Sequence, residues 1–254
     1  MKNKLVVYAC GSPVRQDTMK NLSIGSKADL FVPNENPIYQ GGNSIVWGLI
    51  RGADRLMDET TKDKYDFYQV DNAYFGRKFY YRITKNKLQI DDFNVIDYKR
   101  YKKIFGQFNL SLKPWKTIRN GPIVICLSSG FLYNFYKINI QDYLNKIIFE
   151  IKLRTDRPIL IRSKDANKGI DVDINDAWCV ITHVSASALD ALRLGVPVIT
   201  TGQCAASLMS TSIDRIESPE IIDRREDLFA SLAWAQFNEE EMLSGLAWDV
   251  LHKN

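Results

Sequence analysis

Residues 177–202, AWCVITHVSASALDALRLGVPVITTG, constrain the fold more than any other part of this 254-residue chain. Residues 178–182 form an apolar, β-branched run of the kind buried in parallel sheets. His183, Ser185 and Ser187 follow, where the carboxyl end of such a strand meets a helix. Residues 188–194 have helical composition, with Asp190 in the first turns and Gly195 as the stop. Residues 196–200 then read as the next strand. Strand, polar turn, helix and strand in so short a span make one α/β unit, which calls for a parallel sheet. A serine-rich helix start offers backbone N–H groups and the positive end of the helix dipole to an anion such as a diphosphate. An acidic side chain a few residues on reaches a ribose hydroxyl. A plain α/β connection with capping serines fits the same pattern.

At this length the chain holds one large core or two small ones. No apolar run approaches the ~20 residues of a membrane-spanning helix, and the start MKNKLVVYACGS lacks the shape of a signal peptide. A cytoplasmic protein without a membrane partner is expected. Cys10, Cys126 and Cys179 lie in apolar strand-like runs, Cys204 follows another, and there is no C-x-x-C pair. Buried thiols are therefore expected rather than disulfides or zinc. Two histidines cannot build a His-rich metal site, so no metal and no other cofactor is expected. His252 reads as solvated.

Charge is uneven along the chain. Residues 1–120 carry 21 Lys+Arg against 12 Asp+Glu, and residues 121–254 carry 13 against 18. A basic front half concentrates a polyanion at its surface, whereas any single run such as residues 99–103 fits a solvated face.

Strands are expected at 4–10, 28–32, 65–70 and 80–88, with residues 45–57 helical because Ile45, Leu49, Ala53 and Leu56 follow helical spacing. Residues 91–118 show no clear periodicity. A second unit opens at Gly121-Pro122, with strands at 123–127 and 158–162 and a helix at 141–153 before the segment described first. Residues 220–235 and 239–251 read as helices. The expected division is 1–120, 121–215 and a helical tail, 216–254.

Three loops of the second unit fall at strand carboxyl ends, where ligands bind in open α/β sheets. They are Ser128-Ser129-Gly130, Arg162-Ser163-Lys164 and 183–187. Arg162 can clamp phosphate oxygens in bidentate fashion and Lys164 acts as a point charge; surface pairing with Asp165 or Asp171 is the alternative. His183 can touch the phosphate or the sugar. In the first unit Asp71, at a strand end, can deprotonate a hydroxyl, with Asn72 or Tyr74 positioning it; a turn cap is the alternative. Asp17 and Glu35 are secondary base candidates. Gly41, Gly42 and Asn43 can hold a ligand at a bare helix start.

Ser185, Ala186, Ser187, Asp190, Ala191, Leu192 and Gly195-Val196-Pro197-Val198 resemble the donor-binding half of GT-B glycosyltransferases. Together with DNAYFG, LSSG, TDRPILIRSK and SLAWAQFNEEEMLSGLAW, they resemble compact GT-B-like proteins of bacteriophages and some bacteria, over residues 40–250. Asn72 and Ala73 stand where that pattern has His and Gly. The resemblance implies two Rossmann-like α/β halves with a cleft between them, the last helices crossing back to the first. It implies an inverting, metal-independent transferase with a UDP-sugar as co-substrate. Arg162, Lys164, His183, Ser185, Ser187 and Asp190 would then serve the donor and Asp71 the acceptor. Joined to the charge asymmetry, it points to hydroxymethylated bases in double-stranded phage DNA. A surface or capsule saccharide is the alternative acceptor, and a non-catalytic nucleotide-sugar or nucleic-acid binding module the alternative class.

Overall fold

The computed structural model describes residues 4–33, 36–93, 96–116, 120–163 and 169–253. Its first elements are β1 (Leu5–Tyr8), α1 (Pro13–Ser26), β2 (Asp29–Phe31), β3 (Asn43–Trp47), α2 (Ala53–Lys62), β4 (Phe67–Asn72) and β5 (Tyr81–Lys85). Then come α3 (Tyr98–Gln107), β6 (Ile123–Cys126), α4 (Gly130–Phe135), α5 (Ile140–Lys152), β7 (Ile159–Arg162), α6 (Ile170–Ile174) and β8 (Cys179–Thr182). The chain ends with α7 (Ser187–Arg193), β9 (Val198–Thr200), α8 (Arg225–Ala233), β10 (Gln236–Phe237), α9 (Glu239–Leu243) and α10 (Leu246–Lys253).

Two units result, one of Met1–Ile90 with Ser231–Asn254 and one of Asp91–Ala230. The boundaries expected at 120/121 and 215/216 are thus replaced by 90/91 and 230/231. This changes the charge picture. The first unit holds 15 Lys+Arg against 13 Asp+Glu and the second 19 against 17, so each is +2. The basic stretch 99–119 belongs to the second unit and the acidic tail 231–254 to the first, which cancels the asymmetry seen along the sequence.

The first unit is a six-stranded sheet of order β10-β5-β4-β3-β1-β2, parallel among β2, β1, β3 and β4 and antiparallel at β5 and β10. Alternation sorts its faces. Val7, Ala9, Ile45, Trp47, Tyr68 and Val70 pack on one side with Met19 and Leu22 of α1, Met242 of α9 and Ala247 of α10. Residues 45–57 are not one helix. Ile45 and Val46 pair with β1 and β4, Gly48 and Gly52 take positive φ, and the helix starts only at Ala53. The apolar spacing came from two elements read as one. The acidic tail likewise splits into α9 and α10 at Gly245, whose φ is 87° and whose backbone meets that of Gly25.

The second unit is a four-stranded parallel sheet of order β7-β6-β8-β9. Ile123, Ile125, Cys179, Ile181 and Ile199 form its core with Tyr133 and with Tyr143, Ile147 and Ile151 of α5. Residues 91–118, unassigned above, contain α3: Asp97 caps it by accepting from the Lys99 N–H at 2.8 Å, and Tyr101, Ile104 and Phe105 form its buried stripe. Gly195 ends α7 at φ 79°, and a Cβ there would sit 2.0 Å from the Pro114 carbonyl oxygen. Cys126, Cys179 and Cys204 are free and buried, and Cys10 is free and half-buried. Among the described residues no helix is long and apolar enough to cross a membrane.

Candidate functional site

In the second unit the chain runs from β6 outward to β7 and then back across to β8, so the strand order reverses between β6 and β8. Loops leaving the carboxyl ends of two such neighbouring strands diverge and leave a crevice. Here those loops are Ser128-Ser129-Gly130 and residues 183–187. They are fastened together at their base. The Thr182 hydroxyl donates to the Cys126 carbonyl at 2.6 Å, and the Val184 N–H donates to Ser128 Oγ at 3.4 Å.

The two helix starts at this crevice differ. At α7 the amides are spent internally except that of Ala186, which meets no acceptor among the described residues. Ser185 Oγ accepts from the Ser187 N–H at 3.3 Å, the Ala188 N–H donates to the Ser185 carbonyl, and the Ser185 N–H donates to Thr182 Oγ1. The expectation of a serine-rich turn full of free amides is narrowed to Ala186: the Ser185 hydroxyl is taken by the Ser187 N–H, and Ser187 is buried near the Cys126 thiol with its hydroxyl unpartnered among the described residues. Burial pushes that thiol up to about 11, so Cys126 stays a neutral packing group. At α4, by contrast, the Gly130 and Phe131 N–H groups meet no acceptor among the described residues. Gly130 is exposed and a Cβ there would meet nothing within 4 Å. Two open amides thus start α4, beside the single one of Ala186.

His183 is buried beside this crevice. Its ring lies near-parallel to Tyr133, with centroids 6.0 Å apart, and edge-on to Tyr136 and Tyr143 at 5.3 and 5.7 Å. Nδ1 is 3.1 Å from Thr201 Oγ1, whose hydroxyl donates to Tyr143 Oη at 3.1 Å. With Nδ1 donating to Thr201, Nε2 is left as an acceptor. Burial lowers the His183 pKa from its ordinary 6.5, so the imidazole is neutral at pH 7. It suits a sugar hydroxyl better than a phosphate charge. Gly202 is required next to it, because a Cβ would sit 2.5 Å from His183 Cε1. Beyond Thr201 lies an open cavity of about 440 Å³ with six hydroxyl side chains, Thr200, Thr201, Ser207, Ser210, Thr211 and Ser212. None of Tyr133, Tyr136, Tyr143 and Thr201 was legible as a site residue, since they come from separate elements and share no motif.

The third loop fits less well. Arg162 lies at the end of the edge strand β7, where its Nε donates to Asp173 Oδ2 at 2.8 Å. The pairing alternative holds for this residue, with Asp173 as a partner; Asp165 lies outside the described residues. Arg193 holds Asp171 in the same way, at 2.8 and 3.0 Å. Asp171-Val172-Asp173 is an Asp-x-Asp sequence, the kind that chelates a metal diphosphate, and both its carboxylates are bound by arginine. Lys164 lies outside the described residues, as does Glu35. Asp190 is half-buried on α7.

In the first unit Asp71 and Asn72 end β4 at the carboxyl edge of the six-stranded sheet. Asp71 is engaged: Arg82 Nη2 donates to Oδ2 at 2.8 Å, and the Asn72 N–H donates to Oδ1 at 2.7 Å. Tyr74 is a core residue and is withdrawn from the site. It is 1% exposed, its Oη accepts from the Ile90 N–H at 2.9 Å, and its own N–H donates to Gln236 Oε1. Gly41, Gly42 and Asn43 are also withdrawn. They precede a strand rather than a helix, at the opposite end of the sheet from Asp71, because β3 and β4 run parallel. Asn43 Oδ1 accepts from the Asp66 N–H at 2.9 Å, and a Cβ on Gly42 would sit 2.4 Å from the Lys4 carbonyl oxygen. Asp17 is exposed on α1.

No family model and no curated protein matches the chain by sequence. Among solved structures it is similar to a Thermosulfurimonas dismutans KpsC described as a beta Kdo 2,4 transferase, with a TM-score of 0.53 and 10% identity over 91% of this chain and 90% of that one. It is also similar to the Thermosulfurimonas dismutans KpsC described as a beta Kdo 2,7 transferase, with a TM-score of 0.56 and 13% identity over 96% and 98%. At such identity the likeness is one of fold: two parallel-sheet α/β units of the GT-B-like kind.

Proposed function

We propose that this chain is a glycosyltransferase that takes a nucleotide-sugar donor in its second unit and transfers the sugar to a saccharide acceptor. The observation that carries the donor half is the crevice between β6 and β8, where the LSSG loop and residues 183–187 are tied by the Val184–Ser128 and Thr182–Cys126 hydrogen bonds. In this reading the open amides of Gly130 and Phe131 receive a phosphate. Asp190 reaches the ribose. Neutral His183, held by Thr201, contacts the transferred sugar. UDP remains the first nucleotide to try. The Asp-x-Asp carboxylates are committed to arginines, which favours charge neutralisation without a metal. Asp71 is the acceptor-side base, oriented by Arg82, and direct displacement by the activated hydroxyl inverts the anomeric centre.

A saccharide acceptor is preferred to DNA for two reasons. Each unit is only +2, so the charge argument for a polyanion is gone, and both similar structures are described as transferases of the sugar Kdo. The test is nucleotide release from a panel of nucleotide sugars, with acidic and neutral oligosaccharides and hydroxymethylated duplex DNA as paired acceptors. Release dependent on a saccharide supports the reading. Release dependent on the hydroxymethyl group of DNA overturns the acceptor assignment. If no nucleotide sugar shifts the melting temperature, the donor crevice is a structural connection.

A further inference from the structure

The six-stranded sheet has a strand-order reversal of its own. From β1 the chain goes to β2 on one side and then returns to β3 on the other, so the loops after β1 and β3 diverge. The first loop is Cys10-Gly11-Ser12, leading into α1, and the second is Gly48-Leu49-Ile50-Arg51-Gly52, leading into α2. Two arginines converge where they meet. A Cβ on Gly11 would lie 3.0 Å from Arg51 Nη1 and 3.2 Å from Arg15 Cδ, and Gly11 itself has φ +123°, closed to other residues. Arg15 also lies over the Trp47 ring, 5.5 Å from its centroid.

Neither guanidinium has an acidic partner among the described residues, unlike Arg82, Arg154, Arg157, Arg162 and Arg193, which all have one. Two like charges held about one glycine repel each other unless an anion sits between them. The backbone supports their convergence: Arg51 is held at φ +58°, a conformation that side-chain-bearing residues rarely adopt. The half-buried Cys10 thiol feels the charge too, since Arg51 lowers a pKa that burial raises. The loop brings no negative charge of its own. Residues 10–16 contain no acid, and the first turn of the 14-residue α1 has none.

We infer that Arg15 and Arg51 bind one oxyanion, a carboxylate or a phosphate, carried by the acceptor, which is therefore an acidic saccharide; this rests on the transferase reading above. Each guanidinium presents a fork of N–H donors that matches the two oxygens of such a group. Two arginines serve a single anionic group. A nucleic acid backbone needs a stripe of cations to follow successive phosphates, and the described arginine pair is not extended into one by a net charge of +2.

Calorimetric titration tests this on the 254-residue protein and the variants Arg51→Gln, Arg51→Lys and Arg15→Gln, at one exposed and one half-buried position. The probes are a uronic acid tetrasaccharide, its neutral glucose counterpart and inorganic phosphate, with nucleotide binding measured separately. The acidic tetrasaccharide should bind and the neutral one should not. Arg51→Gln and Arg15→Gln should each weaken binding at least tenfold, with Arg51→Lys in between. Nucleotide affinity should be unchanged throughout. Binding of phosphate alone would retain the site and assign the anion as phosphate. Equal affinity in wild type and both Gln variants, or no binding of any anionic probe at 10 mM, overturns the inference. Loss of nucleotide binding in the wild type would instead sink the transferase reading and leave this anion site standing.

Discussion

The two units repeat one device with different chemistry. In each, the first strand of the unit is flanked by its second on one side and its third on the other, so a crevice opens at the carboxyl edge. In the second unit that crevice is lined by hydroxyls, free amides and a neutral imidazole, with Arg162 at the end of neighbouring β7 already paired. In the first unit the crevice holds two arginines with no acidic partner among the described residues and, one strand further along from β3, the Asp71–Arg82 pair. The lesson is that topology places a ligand and side chains choose it. One crevice offers directional hydrogen bonds; the other offers net positive charge and a carboxylate.

Variants that act on one crevice alone sharpen this contrast. The largest effect is expected at Asp71. Asp71→Asn should lower turnover by roughly 10²–10⁴-fold, the usual contribution of a general base, while nucleotide affinity stays at the wild-type value. A loss of less than about tenfold in steady-state assays would make the Arg82 pair purely structural. Next is Gly130→Val. The added side chain points into open space, so the protein should fold normally. Covering the two free amides should nevertheless weaken nucleotide binding by ~10–100-fold, for a loss of about 1.4–3 kcal/mol of hydrogen bonding to a charged group.

Stability effects are smaller and separate the units. Gly202→Ala forces His183 to move and should cost roughly 1–3 kcal/mol by overpacking, read as a lower denaturant midpoint in the second unit. Tyr74→Phe orphans the Ile90 N–H, a change on the order of 1 kcal/mol. It should leave turnover intact, as befits a core residue; lost turnover at unchanged stability would return Tyr74 to the acceptor site. The smallest effect is the His183 titration. Its folded pKa is below the ordinary 6.5, so the unfolded chain takes up the proton first. Its contribution to stability is constant above pH 7, falls as pH drops through 6.5, and levels off below the lower folded value. Melting curves from pH 7.5 to 5 should show that decline, and His183→Gln should make it shallower.

Much of the second unit was readable in advance because its information is local. A β-branched run, a capping serine, a terminating glycine and the next run succeed one another within residues 177–202, and β8, α7 and β9 fell where that order put them. The two loops of its crevice could be named from their places after strands. The first unit was harder. Ile45 and Leu49 share a helical spacing by coincidence, and only pairing with β1 and β4 makes Ile45 a strand residue. Asp71 was visible as a carboxylate at a strand end, yet its binding to Arg82 depends on the antiparallel register that sets Asp71 opposite Arg82.

The sequence by itself determined the class of fold and the loops that line the second unit's crevice, because periodicity, capping and strand-end position are properties of neighbours along the chain. Tertiary structure alone decided which groups are spent and which are free. Ser185 was consumed as a cap, Tyr74 as core and Arg162 in an ion pair, while Gly130 and Phe131 kept their amides and Arg15 and Arg51 kept their charge. It also set where the returning tail begins, at residue 231, and gave residues 91–120 to the second unit, which cancels the charge asymmetry. The physical reason is the same in each case: hydrogen bonds and charges are satisfied by whatever lies close in space, and strands that are distant in sequence bring those partners together.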